Sequence, residues 1–201
     1  MNYRRWLRLS NLKIIPLGGV RENAKNMYVL EVEDAIFILD CGLAYPEGQQ
    51  LYGIDAVIPD FTYIEENKEK VAGVFLSHGH DDAIGALPYF LDKFNVPVFG
   101  SELTIELAKR FVDDSGLNIH FDNYHVIDEE VEIDFDGTVV RFFRTTHTIP
   151  DSMGIAVKTD EGNIVYTGNF KFDQMATEYY RTDLGQISEI GREGVFALLS
   201  D

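Results

Sequence analysis

One stretch narrows the possible folds more than any other. Val74-Phe75-Leu76-Ser77 is an apolar run that breaks into His78-Gly79-His80-Asp81-Asp82, and helix-spaced apolar residues follow from Ala83-Ile84-Gly85. A strand that ends in a polar turn and passes into a helix is the building unit of an α/β domain. His78, His80 and Asp82 alternate along the chain. In an extended or tightly turned backbone, alternate side chains share one face. Two imidazoles and a carboxylate on one face can hold a borderline cation such as zinc. The plainer alternative is a surface loop that carries two histidines. The carboxylate and the strand-to-helix setting favour the metal reading over it.

The rest of the chain supports the same class. Residues 12–17 read as a first strand ending at Gly18-Gly19, and residues 27–32 and 35–39 read as a hairpin across Glu33-Asp34. The third strand closes on Asp40-Cys41-Gly42, a carboxylate at a strand end that either caps a turn or supports a site from behind. A loop-rich stretch follows, then a short polar helix over residues 63–70 and an amphipathic helix over 82–94. Residues 96–99 are the next strand. Ser101 caps a helix whose expected apolar face is Leu103, Leu107, Ala108, Phe111 and Val112. From residue 118 onward strands are expected at 119–121, 125–127, 131–133, 138–145, 154–159 and 163–167, with turns at Asp136-Gly137 and Glu161-Gly162. The apolar run at 195–199 lies close to Ser200-Asp201, which suggests a chain cut short.

Composition sets limits on function. The 201 residues carry 34 acidic and 17 basic side chains, a net charge of −17. Bulk charge therefore cannot grip a phosphate backbone, and any nucleic acid must be held by local groups, a metal or other parts of a larger protein. The single cysteine, Cys41, sits in an apolar run and is expected to be buried and structural; with no partner thiol the chain fits a reducing compartment. No stretch approaches a membrane span or a signal peptide. Residues 1–10, with Arg4, Arg5 and Arg8, read as an extra and disordered N-terminal arm.

Two further strand ends are polar. Thr145-Thr146-His147-Thr148-Ile149-Pro150-Asp151-Ser152 follows a long strand, and Thr167-Gly168-Asn169-Phe170-Lys171-Phe172-Asp173 follows another. Alone, His147 reads as a packed histidine and Asn169 as a turn residue. His120 and His125 read as surface or strand-end histidines. Several polar strand ends in one α/β domain are the usual place for a site.

In the order Asp40, His78-x-His80-x-Asp82, His147 and Asn169, the chain resembles the metallo-β-lactamase fold. Its wider stretches, Gly18-Gly19-Val20 through Lys25-Asn26-Met27-Tyr28, Arg141-Phe142-Phe143-Arg144 before His147, and Thr167 to Asp173, resemble bacterial ribonuclease J of the β-CASP nucleases. The form of residues 83–89 is most similar to the second paralogue of Gram-positive bacteria. The resemblance implies an αββα sandwich, incomplete here: residues 11–201 would be the N-terminal part of the domain, cut before the β-CASP insertion.

The resemblance also implies two zinc ions and phosphodiester hydrolysis. The family's first metal takes three histidines, matched by His78, His80 and His147. Its second takes an Asp, matched by Asp82, and a His, which here is Ala83. The Asp that bridges the two metals is here Asn169, and the carboxylate behind the ligands is Asp40. Alanine offers no lone pair, and asparagine is neutral. One zinc is expected, and the second position is degenerate. Two glycines of the family's loop are replaced by Arg21 and Ala24.

The expected function is RNA processing and decay by a cytoplasmic ribonuclease J-type hydrolase, exo- or endonucleolytic, weakened by its second metal position. Asp82 and Asp40 would be its acidic catalytic groups. Expected partners are RNA and a paralogous subunit, in a homo- or hetero-oligomer of the full-length protein. The alternatives are a non-catalytic partner of an active paralogue, a small-ester or thioester hydrolase on the same fold, and a fold that binds no metal.

Overall fold

The computed structural model describes residues 11–46, 53–173, 175–177 and 180–201. The predicted arm at 1–10 lies outside them. Two sheets pack face to face between helices. The first contains β1 (Leu12–Gly18), β2 (Met27–Val32), β3 (Ala35–Leu39), β4 (Val71–Phe75), β5 (Val98–Gly100) and β6 (Tyr124–Val126) in that spatial order. The second contains β7 (Glu132–Phe135), β8 (Thr138–Arg144), β9 (Met153–Thr159), β10 (Gly162–Tyr166) and β11 (Val195–Leu199), adjacent in sequence order. The first three strands pair antiparallel; β3 to β6 run parallel. In the second sheet only β11 pairs parallel, against β10.

Strand alternation builds the layers. Along β3, Phe37 and Leu39 face the second sheet, while Ile36 and Ile38 face the helices. Along β4, Phe75 points between the sheets and Val74 points outward. The inter-sheet layer joins Leu30, Phe37, Phe75 and Phe99 to Val140, Phe142, Ile155 and Ile164. Strands buried on both faces read as continuous apolar runs, as these do. Outside the first sheet pack α1 (Thr62–Glu66), α2 (Asp81–Ile84), α3 (Leu87–Leu91) and α4 (Glu102–Asp114), through Ile64, Ile84, Leu87, Phe90, Ile105 and Val112. Outside the second sheet packs α5 (Leu184–Glu193), through Ile190 against Phe143, Ala156 and Val165. This is the expected αββα arrangement.

Several expected elements differ. The helix predicted over 82–94 is two short helices, α2 and α3. Pro88 sits in the first turn of α3, where its missing N–H costs nothing, and it cannot continue a helix from before. The polar helix predicted over 63–70 ends at Glu66 and gives way to a 3₁₀ turn at Lys68–Lys70. In α4 the buried stripe is Thr104, Ile105, Ala108 and Val112, while Leu103, Leu107 and Phe111 are only partly covered. The strand expected at 119–121 is irregular chain, and β6 begins three residues later.

Candidate metal centre

The strand ends predicted to carry the site meet at one rim of the sandwich. Asp40 follows β3, His78 to Asp82 follow β4, His147 follows β8 and Asn169 follows β10. The turn after β4 is laced down by backbone hydrogen bonds. Cys41 N–H donates to Ala83 O at 2.7 Å, Asn26 N–H to Asp82 O at 2.9 Å and Leu43 N–H to Asp81 O at 3.0 Å. Gly42 must be glycine, since a Cβ there would occupy the Asp82 carbonyl.

Three histidines converge. The ring centroids of His78, His80 and His147 lie 4.8 to 5.0 Å apart, each pair close to edge-on. His80 Nδ1 and His147 Nε2 are 3.1 Å apart. Nitrogens about 2.0–2.1 Å from a tetrahedral ion would sit roughly 3.3–3.4 Å apart. One ligand atom from each ring lies within 4.8 Å of the others. His78 Nε2 is buried and has no hydrogen-bond partner among the described residues; Asp82 Oδ1 stands 3.5 Å away, too far to bond well. A buried nitrogen left unpaired is costly, and a cation at this point removes the cost. Burial first, then His78 and His80 beside it, hold the His147 imidazole down at about 4. Burial and His78 likewise lower His80. Both rings are neutral at pH 7, which leaves lone pairs for a metal. The residues fit one metal ion.

The second position is different. Ala83 is fully buried in the core under the first sheet and offers no ligand atom. The Asp82 carboxylate meets two amides: Asn26 Nδ2 donates to its Oδ2 at 2.9 Å, and Asn169 Nδ2 donates to the same oxygen at 2.8 Å. Burial pushes the Asp82 carboxyl up, but His78 and the Asn169 amide pull harder the other way, and it ends below the ordinary value. The negative charge that a second cation would meet is satisfied here by neutral N–H donors.

Asp40 stands behind the histidines with no exposed surface, in a left-handed conformation at φ 59°. Its Oδ1 accepts from Ser77 N–H at 2.7 Å; its Oδ2 accepts from Ser77 Oγ at 2.7 Å and Tyr166 OH at 2.6 Å. Burial raises its carboxyl to about 6, against the pull of His78, Tyr166 and Ser77. It is ionised at pH 7. Cys41 is buried, and burial pushes its thiol well above the ordinary value, so it is structural as expected. His125 stacks on Phe99, away from the site.

Three contributors carried no predicted role: Asn26, Ser77 and Tyr166. Asn26 stands at the start of β2, at the same rim, and a polar residue on the threshold of an apolar strand was a usable signal. Ser77 lies inside the motif itself. Tyr166 reaches Asp40 across 126 positions of sequence, which no local spacing could show.

Residues 20–183 match the Metallo-beta-lactamase superfamily. Over 193 residues the chain is 61% identical to a protein named Ribonuclease J 2 from Streptococcus pyogenes, covering 96% of this chain and 35% of the relative. It is 52% identical over 191 residues to Ribonuclease J 2 of Staphylococcus saprophyticus, covering 95% and 34%. The chain thus spans about a third of the length of these curated relatives. Among solved structures, the Rm3 metallo-beta-lactamase superposes with a TM-score of 0.56 at 15% identity, covering 93% of this chain and 74% of that one. A protein of unknown function from Enterococcus faecalis V583 gives 0.62 at 16% identity, covering 80% and 44%. At such identities the likeness is one of fold. With the sandwich, the histidine cluster at its rim and the match over 164 of its residues (20 through 183) in agreement, the chain belongs to the metallo-beta-lactamase superfamily.

Proposed function

We propose that this chain is the N-terminal part of a ribonuclease J-type, metal-dependent RNA hydrolase with one complete metal position and one degenerate position. Residues 11–201 are read as the part of the domain that precedes the β-CASP insertion. The observation that carries the reading is the contrast within one centre: three histidines whose ring nitrogens converge on one side, and a carboxylate held by Asn26 and Asn169 amides on the other. The likeness to proteins named Ribonuclease J 2 favours RNA over a small ester or thioester as substrate.

His78, His80 and His147 would hold the ion, and zinc suits three imidazoles with one open position. When bound, zinc supplies Lewis acidity and lowers the pKa of water to about 7. The chain's own residues do the rest. Asp40 fixes the loop that carries His78. Asp82 places a carboxylate oxygen 3.5 Å from His78 Nε2, where it can accept a proton or orient a water. Ala83 and Asn169 would leave a second cation without an imidazole and without an anionic ligand, and the charge stabilisation that such a cation would supply is weakened accordingly.

A second reading rests on the same loss. A subunit with a degenerate centre can serve an active paralogue by binding it and placing RNA. The full-length protein is expected to act in the cytoplasm, where Cys41 stays reduced.

The test is RNA degradation by the full-length protein, its His78→Ala variant and the double variant Ala83→His with Asn169→Asp. The expected result is slow degradation, abolished in the first variant and raised tenfold or more in the second. A parent that degrades RNA at the rate of a two-metal nuclease, unchanged by the double substitution, contradicts the degenerate centre. Activity that appears only on mixing with an active paralogue favours the partner reading.

A further inference from the structure

Behind the three histidines lies a chain of hydrogen bonds that crosses from one sheet to the other. Tyr166, on the last residue of β10, donates its phenol to Asp40 Oδ2 at 2.6 Å. Ser77 donates both its backbone N–H and its hydroxyl to the same carboxylate, each at 2.7 Å. Ser77 Oγ lies 2.9 Å from His78 Nδ1. All four side chains are buried.

Proton counting fixes the direction of this chain. Three donors converge on Asp40, so it accepts from all of them as a carboxylate. A serine hydroxyl has a single proton, and Ser77 spends it on Asp40. Toward His78 it can then only accept. His78 must donate from Nδ1, and its Nε2 is left bare, which is the buried nitrogen without a partner. The hydroxyl itself has no freedom to turn away. Gly168, at φ 57°, presses on Ser77 so closely that a Cβ there would lie 2.7 Å from Ser77 Cβ and Oγ. Met153 N–H holds the Ser77 carbonyl at 2.8 Å. Glycine in the Thr167-Gly168-Asn169 turn is therefore required twice, for its backbone conformation and for the room it leaves Ser77.

Resting on the metal reading above, we propose that Ser77 and Tyr166 are positioning residues that, through Asp40, lock His78 in the Nδ1–H tautomer and aim its Nε2 at the metal. Tyr166 ties this lock to the second sheet, so the ligand from one sheet is oriented by a residue from the other. A hydrogen bond to the far nitrogen fixes the tautomer and raises the basicity of a ligating histidine.

The test measures zinc affinity of the full-length protein by competition with a chromophoric chelator, with the visible spectrum of the cobalt(II)-loaded protein as a second readout. Variants are Ser77→Ala, Tyr166→Phe, His78→Ala and a control, Tyr63→Phe. The control removes a phenol–carboxylate hydrogen bond to Glu31, remote from the site. Ser77→Ala is expected to weaken zinc binding roughly 10- to 100-fold, and Tyr166→Phe about fivefold, both with a shifted cobalt band. Tyr63→Phe lowers the melting temperature and leaves zinc affinity and spectrum unchanged. If Ser77→Ala does not fold, Tyr166→Phe alone decides. Zinc affinity and cobalt spectra equal to the parent in both relay variants, with binding lost in His78→Ala, overturn the relay and leave the metal centre standing. Undiminished binding in His78→Ala overturns both.

Discussion

Ala24 shows how a single residue records a departure from a backbone pattern. The ribonuclease J-like loop has glycine where this chain has Arg21 and Ala24, and these two residues stand at φ 60° and φ 140°. The second value lies in a region that a side chain rarely tolerates, and such strain costs about 1–3 kcal/mol. Ala24→Gly is expected to raise stability by about 1 kcal/mol once the added freedom of the unfolded chain is subtracted. A denaturant melt reads this directly; a destabilised Ala24→Gly would mean that the loop is relaxed as it stands. At this scale the sequence was legible in part. Alternation placed His78, His80 and Asp82 on one face, because the period of an extended chain is local information. The amide grip on Asp82 was not legible, because Asn26 and Asn169 arrive from 56 and 87 positions away. The sequence shows Ala83 as a position without a ligand atom; the structure adds that its side chain is absorbed into the core.

Elements are joined by polar groups as well as by the core. Glu31 of β2 is 1% exposed and accepts from Lys13 of β1 at 2.7 Å, from Tyr63 of α1 at 2.5 Å and from Lys70 at 3.2 Å. These donors hold its carboxyl down at about 2, from an ordinary 4.5. A depressed folded pKa gives stability that is complete above the unfolded value and fades as pH falls. The contribution is therefore expected to vanish between about pH 4.5 and 2. Glu31→Gln should cost about 2 kcal/mol at pH 7 and flatten the acid limb of the stability curve. An unchanged acid limb would show that other carboxylates govern it. On the opposite face, Arg141 of β8 reaches Glu193 of α5 at 2.7 Å and Asn163 of β10 at 3.1 Å. Arg141→Ala is expected to speed amide exchange in α5 while β8 and β9 stay protected. Element types were largely readable, since strand alternation and helical spacing are strong signals. Boundaries were less so. The break between α2 and α3 is set by Pro88 and by Gly85 packed on Leu43, contacts that apolar spacing does not encode.

For the whole molecule, the apolar pattern predicts an α/β domain and the family resemblance adds the two-sheet sandwich, but neither shows which surface stays open. Along β11, Val195, Phe196 and Leu198 are 45%, 56% and 63% exposed, and Phe172 is 67% exposed. An apolar strand at a sheet edge invites pairing with another chain. The 201-residue chain by itself is expected to bind a hydrophobic dye, to self-associate with rising concentration and to melt broadly. A sharp, concentration-independent melt would count against this. The proposed centre lies at the rim of the sandwich, where three converging histidines stand beside an Asp82 carboxylate held by two amides. The most direct measurement is the number of zinc ions per chain in the purified full-length protein, by elemental analysis after exhaustive dialysis. One ion in the parent, none in His78→Ala and two in the Ala83→His with Asn169→Asp double variant is the predicted result. Two ions in the parent would contradict it.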